Sequence, residues 1–495
     1  MAEKNIETLS RTIAQDYAAL NIINGEKCAS ISEEMLPVIC PSDGVVFTQI
    51  PASDVQDVER AVSGARHALE KGPWARMTAT ERGRLLTKLG LLIEKNADEL
   101  AATESRETGK PVRQGVADAQ ATIRYFEYYG GAADKVHGDT IPFLATHTAI
   151  TMREPHGVVA GIIPWNYPMQ IFARVAGAAL AMGNTLVIKP AEDASLTSLR
   201  IAELALEAGF PDGVLNVITG LGATAGAALS GHHDVDYVTF TGSPPTGTAI
   251  QSAAAGNNRG VTMELGGKSP QLVFADADLD AAVPVIVNAI IQNGGQTCSA
   301  GSRILIEKPV YAEVSNALAE RFSALVAEPH WKDGDLGALI SGKQELRVQS
   351  FIDDASSSGL DVLARGQVAQ DAPAGGFYQA PVLFGDVGFE TKLFSEEVFG
   401  PVLTLTPFDD EADAIRLANA TPYGLVAGVW TADGARQLRV AKRVRAGQVY
   451  INGYGAGGGI ELPFGGFKKS GFGREKGFEA LKDMSAMKTI IFNHG

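Results

Sequence analysis

Residues 158–192 read VVAGIIPWNYPMQIFARVAGAALAMGNTLVIKPAE and hold one full period of the chain's main rhythm. VVAGII (158–163) is a short, wholly apolar run and reads as a buried strand. QIFARVAGAALAM (170–182) reads as a helix, and TLVIK (185–189) as the next strand. Strands with no polar alternation are covered on both faces, the pattern of a parallel sheet flanked by helices. The rhythm continues through the helix LTSLRIAELALEAG (196–209), closed by Gly209 and Pro211, to strands VLNVI (214–218) and YVTF (237–240), each followed by a helical stretch. Sheets of this kind bind ligands at the carboxyl ends of their strands.

Towards the N-terminus lie two amphipathic helices. SDVQDVERAVSGARHALEKG (53–72) sets Val55, Val58, Val62, Ala65 and Leu69 on one face, with Ser53 as the expected N-cap. TATERGRLLTKLGLLIEKNADEL (78–100) opens on a capping box, Thr78 with Glu81. Towards the C-terminus the alternation repeats less cleanly. Strands are expected at 271–274, 303–306, 402–406, 426–430 and 448–452, and helices at 280–292, 310–326, 343–357, 410–419 and 433–442. This is a second α/β unit, divided from the first near MELGGKSPQ (263–271), where Gly-Gly breaks the pattern. TAITMREP (148–155) and MKTIIFN (487–493) are expected to pair in an added sheet that mediates self-association.

The totals fit this picture. The chain has 495 residues, 45% hydrophobic and 20% charged, enough apolar material for more than one core. A net charge of −15 disfavours nucleic acid and anionic membrane surfaces as partners. No apolar run reaches the roughly 18 residues of a membrane span, and MAEKNIETLSR lacks the features of a signal peptide. Cys28, Cys40 and Cys298 form no CxxC pair and are odd in number, which argues against a disulfide framework or a zinc site and for a reducing, cytoplasmic setting.

With 55 glycines, chance matches to dinucleotide fingerprints are expected. Gly220-x-Gly222-x-x-Ala225 follows a strand and is a fair GxGxxA candidate, or simply a strand–helix turn; Gly453-x-Gly455-x-x-Gly458 precedes no helix and reads as loop. FTGSPPTG (240–247) is the better pyrophosphate site. Gly242 allows a tight turn, Ser243 can cap the next helix, and Pro244 suits its first turn. A plain capped helix is the alternative. In KPAE, Lys189 and Glu192 could hold ribose hydroxyls, with Glu192 repelling a 2′-phosphate, or could be solvated loop residues.

Three residues have the types needed for acyl chemistry. Cys298, in NGGQTCSAGSR (293–303), sits among small polar residues where a thiol can be reactive, although free cysteines are often buried and inert. Glu264 could be a general base or a surface carboxylate, and the Asn166 amide an oxyanion donor or a turn residue.

PWNYP, KPAE, FTGS, ELGGKSP, GGQTCSAGSR, EEVFGPV (396–402) and PFGG (463–466) occur in the order found in the aldehyde dehydrogenase superfamily, which the chain resembles from about residue 20 to its end. The resemblance implies a Rossmann-like NAD-binding domain (1–124 and 156–265), a catalytic α/β domain (266–480) and a small β oligomerisation extension (125–155 and 481–495). It implies Cys298 as nucleophile, Glu264 as base for water, Asn166 as oxyanion donor, and Glu475 as a proton-relaying carboxylate. Lys189, Glu192, Gly242, Ser243, Glu397, Phe399 and Trp165 would meet NAD, preferred over NADP because of Glu192. CoA-acylating relatives lack the ELGGK glutamate, so its presence implies hydrolysis to a free acid. Trp165, Tyr167, Ile171 and Phe464 suggest a partly aromatic funnel. Arg174, eight residues beyond Asn166, is shared with semialdehyde and lactaldehyde dehydrogenases and implies either a substrate carboxylate or a structural ion pair. A second arginine of the succinate semialdehyde type is Gln292 here, a departure that argues against that substrate. The rivals are a cysteine hydrolase, which would want a histidine that none of the eight supplies in a comparable motif, and a non-catalytic protein of the same fold. No metal is expected. The partners expected are an aldehyde and a second copy of the chain.

Overall fold

The structure is a computed structural model that describes residues 8–13, 19–455 and 459–495. Among these, two large sheets dominate. In the first, the order is Glu26–Cys28, Asn21–Ile23, Leu215–Val217, Thr185–Pro190, Val158–Ile163, Tyr237–Thr241, Gly260–Glu264 and Gly471–Phe472. The five strands from Leu215–Val217 to Gly260–Glu264 run parallel, and the flanking strands are antiparallel. Both faces are covered because the side chains alternate between two cores. Val159, Ile163, Leu186 and Ile188 enter one, and Val158, Ala160, Ile162 and Val187 the other. Each such aliphatic side chain stabilises by about 1.5–3 kcal/mol when fully buried, which explains the unbroken apolar runs.

The second sheet has the order Asp361–Arg365, Val382–Gly385, Val402–Phe408, Arg303–Glu307, Pro270–Val273, Val426–Trp430 and Gln448–Ile451, parallel but for its first strand. Its side chains also divide between two cores, Leu272 and Leu305 in one, Val273, Ile304 and Ile306 in the other. The strands Asp361–Arg365 and Val382–Gly385 were not foreseen from the pattern. The chain crosses from the first sheet to the second between Glu264 and Pro270, within MELGGKSPQ.

The strand His147–Pro155 pairs antiparallel with Ser485–Asn493 over its whole length, as expected, and Thr140–Ile141 adds a third strand. The helix Val112–Ala132 passes unbroken through the expected boundary at 124, because Tyr125, Phe126 and Tyr129 are buried in the first core. Asp54, not Ser53, caps the helix Val55–Glu70: its carboxylate accepts from the Gln56 N–H at 2.8 Å. Ser53 is buried and accepts from Asn21 Nδ2. The expected capping box of Thr78 and Glu81 is present, and Gly209 closes its helix at φ 97°.

Candidate active site

In the first sheet Val158–Ile163, Thr185–Pro190 and Leu215–Val217 step one way and Tyr237–Thr241 and Gly260–Glu264 the other. The order therefore reverses beside Val158–Ile163, and a crevice opens outside the carboxyl ends of the strands at such a switch point. PWNYP leaves Val158–Ile163, Glu192 follows Thr185–Pro190, Gly242 and Ser243 follow Tyr237–Thr241, and Glu264 ends Gly260–Glu264. Parallel topology alone brings these four segments to one edge.

On the cofactor side, Lys189 is buried and its ammonium donates to Glu192 Oε2 at 3.1 Å and to the Pro190 carbonyl. Burial pulls its pKa down, against the pull of Glu192. Ser243 is the first residue outside the helix Pro244–Ala255, but it makes no side-chain cap; its hydroxyl meets Thr246 Oγ1 at 2.9 Å instead. The uncapped helix end is thus open to an anion. Gly242 is needed for a different reason from the tight turn expected, since a Cβ there would lie 2.5 Å from the Phe240 ring. Trp165 packs edge-on to Phe399 with ring centroids 5.4 Å apart. Glu397 accepts from the Gly267 N–H at 2.8 Å, and Gly266 leaves the room its carboxylate fills, for a Cβ there would lie 2.3 Å from Glu397 Oε2. Burial pushes Glu397 up to about 7, against that hydrogen bond and Lys268. An open helix end, a buried lysine–carboxylate pair and a glycine-walled recess form a cradle that fits a dinucleotide. Of the two glycine fingerprints, Gly220 and Gly222 lead into a five-residue π-turn, and Gly458 of the second lies outside the described residues.

Cys298 comes from the amino end of the second sheet, ahead of strand Arg303–Glu307. Its loop begins with three left-handed residues, Asn293, Gly294 and Gly295, at φ 51°, 62° and 76°. Gly295 is pressed on the Gly400 carbonyl of EEVFGPV and Gly267 on the Cys298 carbonyl, each so near that a Cβ would lie 2.2 Å away. Side chains hold the rest: Gln296 Oε1 accepts from the Ile340 N–H, and Tyr454 donates to the Ser299 carbonyl at 2.6 Å. The half-buried Cys298 lines a narrow pocket with Asn166, Tyr167, Ile171, Arg174, Thr297 and Phe464. Burial pushes its thiol up to about 12, with Arg174 pulling down and Glu397 and Glu264 pushing up.

Asn166 is buried. Its Nδ2 donates to the Gln296 carbonyl at 3.0 Å, which leaves a second N–H, and its Oδ1 has no partner. Tyr167 shares a hydrogen bond with Thr297 at 2.8 Å, tying the PWNYP turn to the cysteine loop. Glu264 is buried with neither carboxylate oxygen hydrogen-bonded. Burial, and then the Glu475 charge, raise its pKa well above the usual range, against Arg174 and Arg474. Arg174 forms an ion pair with Glu475, which also accepts from Thr239 Oγ1 at 3.0 Å. The structure thus realises the ion-pair alternative for Arg174, although Glu475 lies on no helix: its backbone bridges to Phe464.

Sequence reasoning missed the support behind Asn166. Lys110 is fully buried between Glu104 and Asp118, at 2.6 Å from each, and donates to the Asn166 carbonyl at 3.0 Å. Asn293 Nδ2 meets the same carbonyl at 2.9 Å. Glu104 also accepts from the Met169 N–H at the start of the helix Pro168–Ala181, and Glu107 from the Leu196 N–H. It missed Lys476 as well, which is buried in the pocket wall. Among the described residues no cluster of ligating side chains could hold a metal ion, and no helix is long and apolar enough to cross a membrane.

A cysteine facing a nucleotide crevice, with an amide and a buried carboxylate nearby, defines a nicotinamide-linked oxidoreductase of the covalent kind. The sequence profile described as the aldehyde dehydrogenase family matches residues 28–490. A putative aldehyde dehydrogenase from Burkholderia cenocepacia is 57% identical and superposes with a TM-score of 0.95 over 96% of this chain and 100% of its own. An NAD+ complex of aldehyde dehydrogenase from Bacillus cereus is 39% identical, with a TM-score of 0.95 over 99% of each chain. Aldehyde dehydrogenase family 2 member B4, mitochondrial, of Arabidopsis thaliana is 41% identical over 473 residues, 95% of this chain and 87% of that protein. The chain belongs to the aldehyde dehydrogenase family. It is an enzyme that oxidises aldehydes with a nicotinamide cofactor. The cysteine-hydrolase reading gives way to this one.

Proposed function

We propose that the chain oxidises an aldehyde to its free carboxylic acid through a covalent adduct on Cys298, with NAD as the preferred cofactor. The observation that carries this reading is that Cys298 and Asn166, from distant stretches of sequence, line one pocket, with Glu264, from a third, near enough for its charge to act on the thiol. The Cys298 thiolate adds to the aldehyde carbon. The free N–H of Asn166 and the Cys298 backbone N–H take the oxyanion; one such donor is worth roughly 2.7–4 kcal/mol in the transition state. Bound NAD supplies the acceptor for the hydride that the adduct carbon loses, which leaves a thioester on Cys298. Glu264 then takes a proton from water, the water oxygen bonds to the thioester carbon, and the C–S bond breaks to release the acid and return the cysteine.

Lys189 and Glu192 would hold the adenine ribose, Gly242 and Ser243 the pyrophosphate, and Glu397, Phe399 and Trp165 the nicotinamide side. A carboxylate at 192, paired with Lys189, would repel a 2′-phosphate on a ribose held there, which supports NAD over NADP. Glu475, paired with Arg174 and acting by its charge on Glu264, would pass protons on. Tyr167, Arg174 and Phe464 border the path of the substrate, an aromatic or a carboxylate-bearing aldehyde. The first sheet forms the NAD-binding unit and the second the catalytic unit. Self-association through the strands His147–Pro155 and Ser485–Asn493 is supported by the exposed apolar side chains of Met152, Met487, Ile491 and Phe492. The free thiols of Cys28 and Cys40 support a cytoplasmic setting. The test is aldehyde-dependent NADH absorbance over a broad aldehyde panel, wild type against Cys298→Ala. An inert wild type across the panel ends the enzymatic reading.

A further inference from the structure

The helix Pro168–Ala181 presents Gln170, Ile171 and Arg174 to the pocket that Cys298 lines. Gln170 and Arg174 lie one turn apart on the same face. Arg174 is matched by Glu475. Gln170 has a different partner. Its Nε2 donates to Asp118 Oδ1, on the helix Val112–Ala132, at 2.5 Å. Only an N–H can donate to a carboxylate, so this bond fixes which way the amide lies. Asp118 is 3% exposed, so Nε2 is turned into the protein, and Oε1 is the polar atom that the half-buried Gln170 offers to the pocket. Asp118 is held in turn. Its other oxygen accepts from Lys110 at 2.6 Å, and the same ammonium donates to the Asn166 carbonyl at 3.0 Å. One buried chain, from Gln170 through Asp118 and Lys110 to Asn166, therefore sets the acceptor of the pocket wall and the amide of the PWNYP turn in a fixed relation. Donation to a carboxylate also draws electron density toward Oε1 and strengthens it as an acceptor.

We propose that Gln170 is a specificity-determining residue of the substrate pocket, and that the preferred substrate is an aromatic aldehyde whose ring carries a hydroxyl-bearing substituent, the hydroxyl donating to Gln170 Oε1. The rest of the wall fits such a molecule. Phe464, Tyr167 and Ile171 offer a ring apolar and aromatic contacts. The hydroxyls of Tyr167 and Thr297 are bonded to each other at 2.8 Å, so neither competes for the substrate. Tyr125 also lines the pocket, and burial keeps its hydroxyl protonated and able to donate to the substrate oxygen. An acceptor that is held in place selects a donor. A methyl group in place of the hydroxyl strips water from Oε1 and gives it no donor in return. A carboxylate sets one acceptor against another, with the Asp118 charge behind them.

The inference rests on the aldehyde-oxidising reading above, and the experiment separates the two. The full chain is assayed with NAD at pH 7 on 4-(hydroxymethyl)benzaldehyde, 4-ethylbenzaldehyde and 4-carboxybenzaldehyde, and on the three 3-substituted isomers. The hydroxymethyl and ethyl compounds match in shape, and the methylene insulates the aldehyde from the hydroxyl. Wild type is expected to favour the hydroxymethyl over the ethyl compound of at least one set by about fivefold or more in kcat/KM, mainly through KM. Gln170→Met, similar in length and without the amide, should bring that ratio to within about twofold of unity. The wild-type preference needs no variant to fold, and the ratio is read within one protein, so a general loss of activity in the variant does not alter it. Turnover of these aldehydes by wild type without the hydroxyl preference overturns the inference alone. So does a preference that Gln170→Met keeps, a higher kcat/KM for the carboxylates, which would assign the pocket to its cations Arg174 and Lys476, or turnover confined to aldehydes outside these sets. No turnover of any aldehyde by wild type overturns the aldehyde-oxidising reading, and this inference with it.

Discussion

The carboxyl edge of the first sheet and the amino edge of the second face the same crevice but are built from different materials. On the first, the functional residues follow their strands within a few positions, so the backbone ladder carries them to the edge. On the second, Cys298 sits in an irregular loop with three left-handed residues in a row, held by hydrogen bonds and close glycine contacts from five other segments. The first edge is a product of regular secondary structure. The second exists only because the rest of the molecule holds it. In the proposed reading a nucleotide is bound by the former, whereas a reacting sulfur requires the precision of the latter.

Removing the sulfur breaks the second edge while sparing the first. Cys298→Ala is expected to abolish NADH formation with every aldehyde and to retain NAD binding, measured by calorimetry; lost NAD binding would mean the two edges are not independent. Asn166→Ala is expected to lower kcat by about 10²–10³-fold with a smaller change in KM. Behind Asn166, Lys110→Met strands two buried carboxylates and should cost about 3–5 kcal/mol of unfolding free energy in urea. A cost under about 1 kcal/mol would show that Lys110 does not support the turn.

The pH profile tests the chemical edge more gently. Cys298 and Glu264 are both raised by burial and must lose their protons to act, so the competent fraction grows as pH rises. kcat/KM is expected to climb between pH 7 and 9.5, by up to about tenfold per unit for each group that titrates. A profile falling over this interval contradicts the assignment. The smallest effect belongs to the first edge. Glu192→Gln should raise the NADP to NAD ratio of kcat/KM by a few-fold, about 1 kcal/mol for removing one partly exposed charge. An unchanged ratio removes Glu192 as the basis of the preference.

Hydropathy made the alternating strands and helices of both sheets legible, because strands covered on both faces have nowhere to put a polar residue. It could not show the stretch Thr103–Lys110. Seven of its eight residues are polar, with Glu104, Glu107 and Lys110 all buried, yet it lies against the catalytic turn. Buried polar residues satisfy one another across distant segments, and no periodicity records those partners. Gly242 shows a subtler gap: the residue was legible, but its reason, the Phe240 ring two positions before it, was not.

By itself the sequence determined the class of fold and the family, since these depend on local pattern and on ordered motifs. Only the tertiary structure decided how the charges pair. Arg174 and Glu475, some 300 positions apart, neutralise each other beside the pocket that Cys298 lines. Charge pairing depends on which groups come within a few ångströms once water is excluded, and that distance is written in the packing rather than in the order of residues.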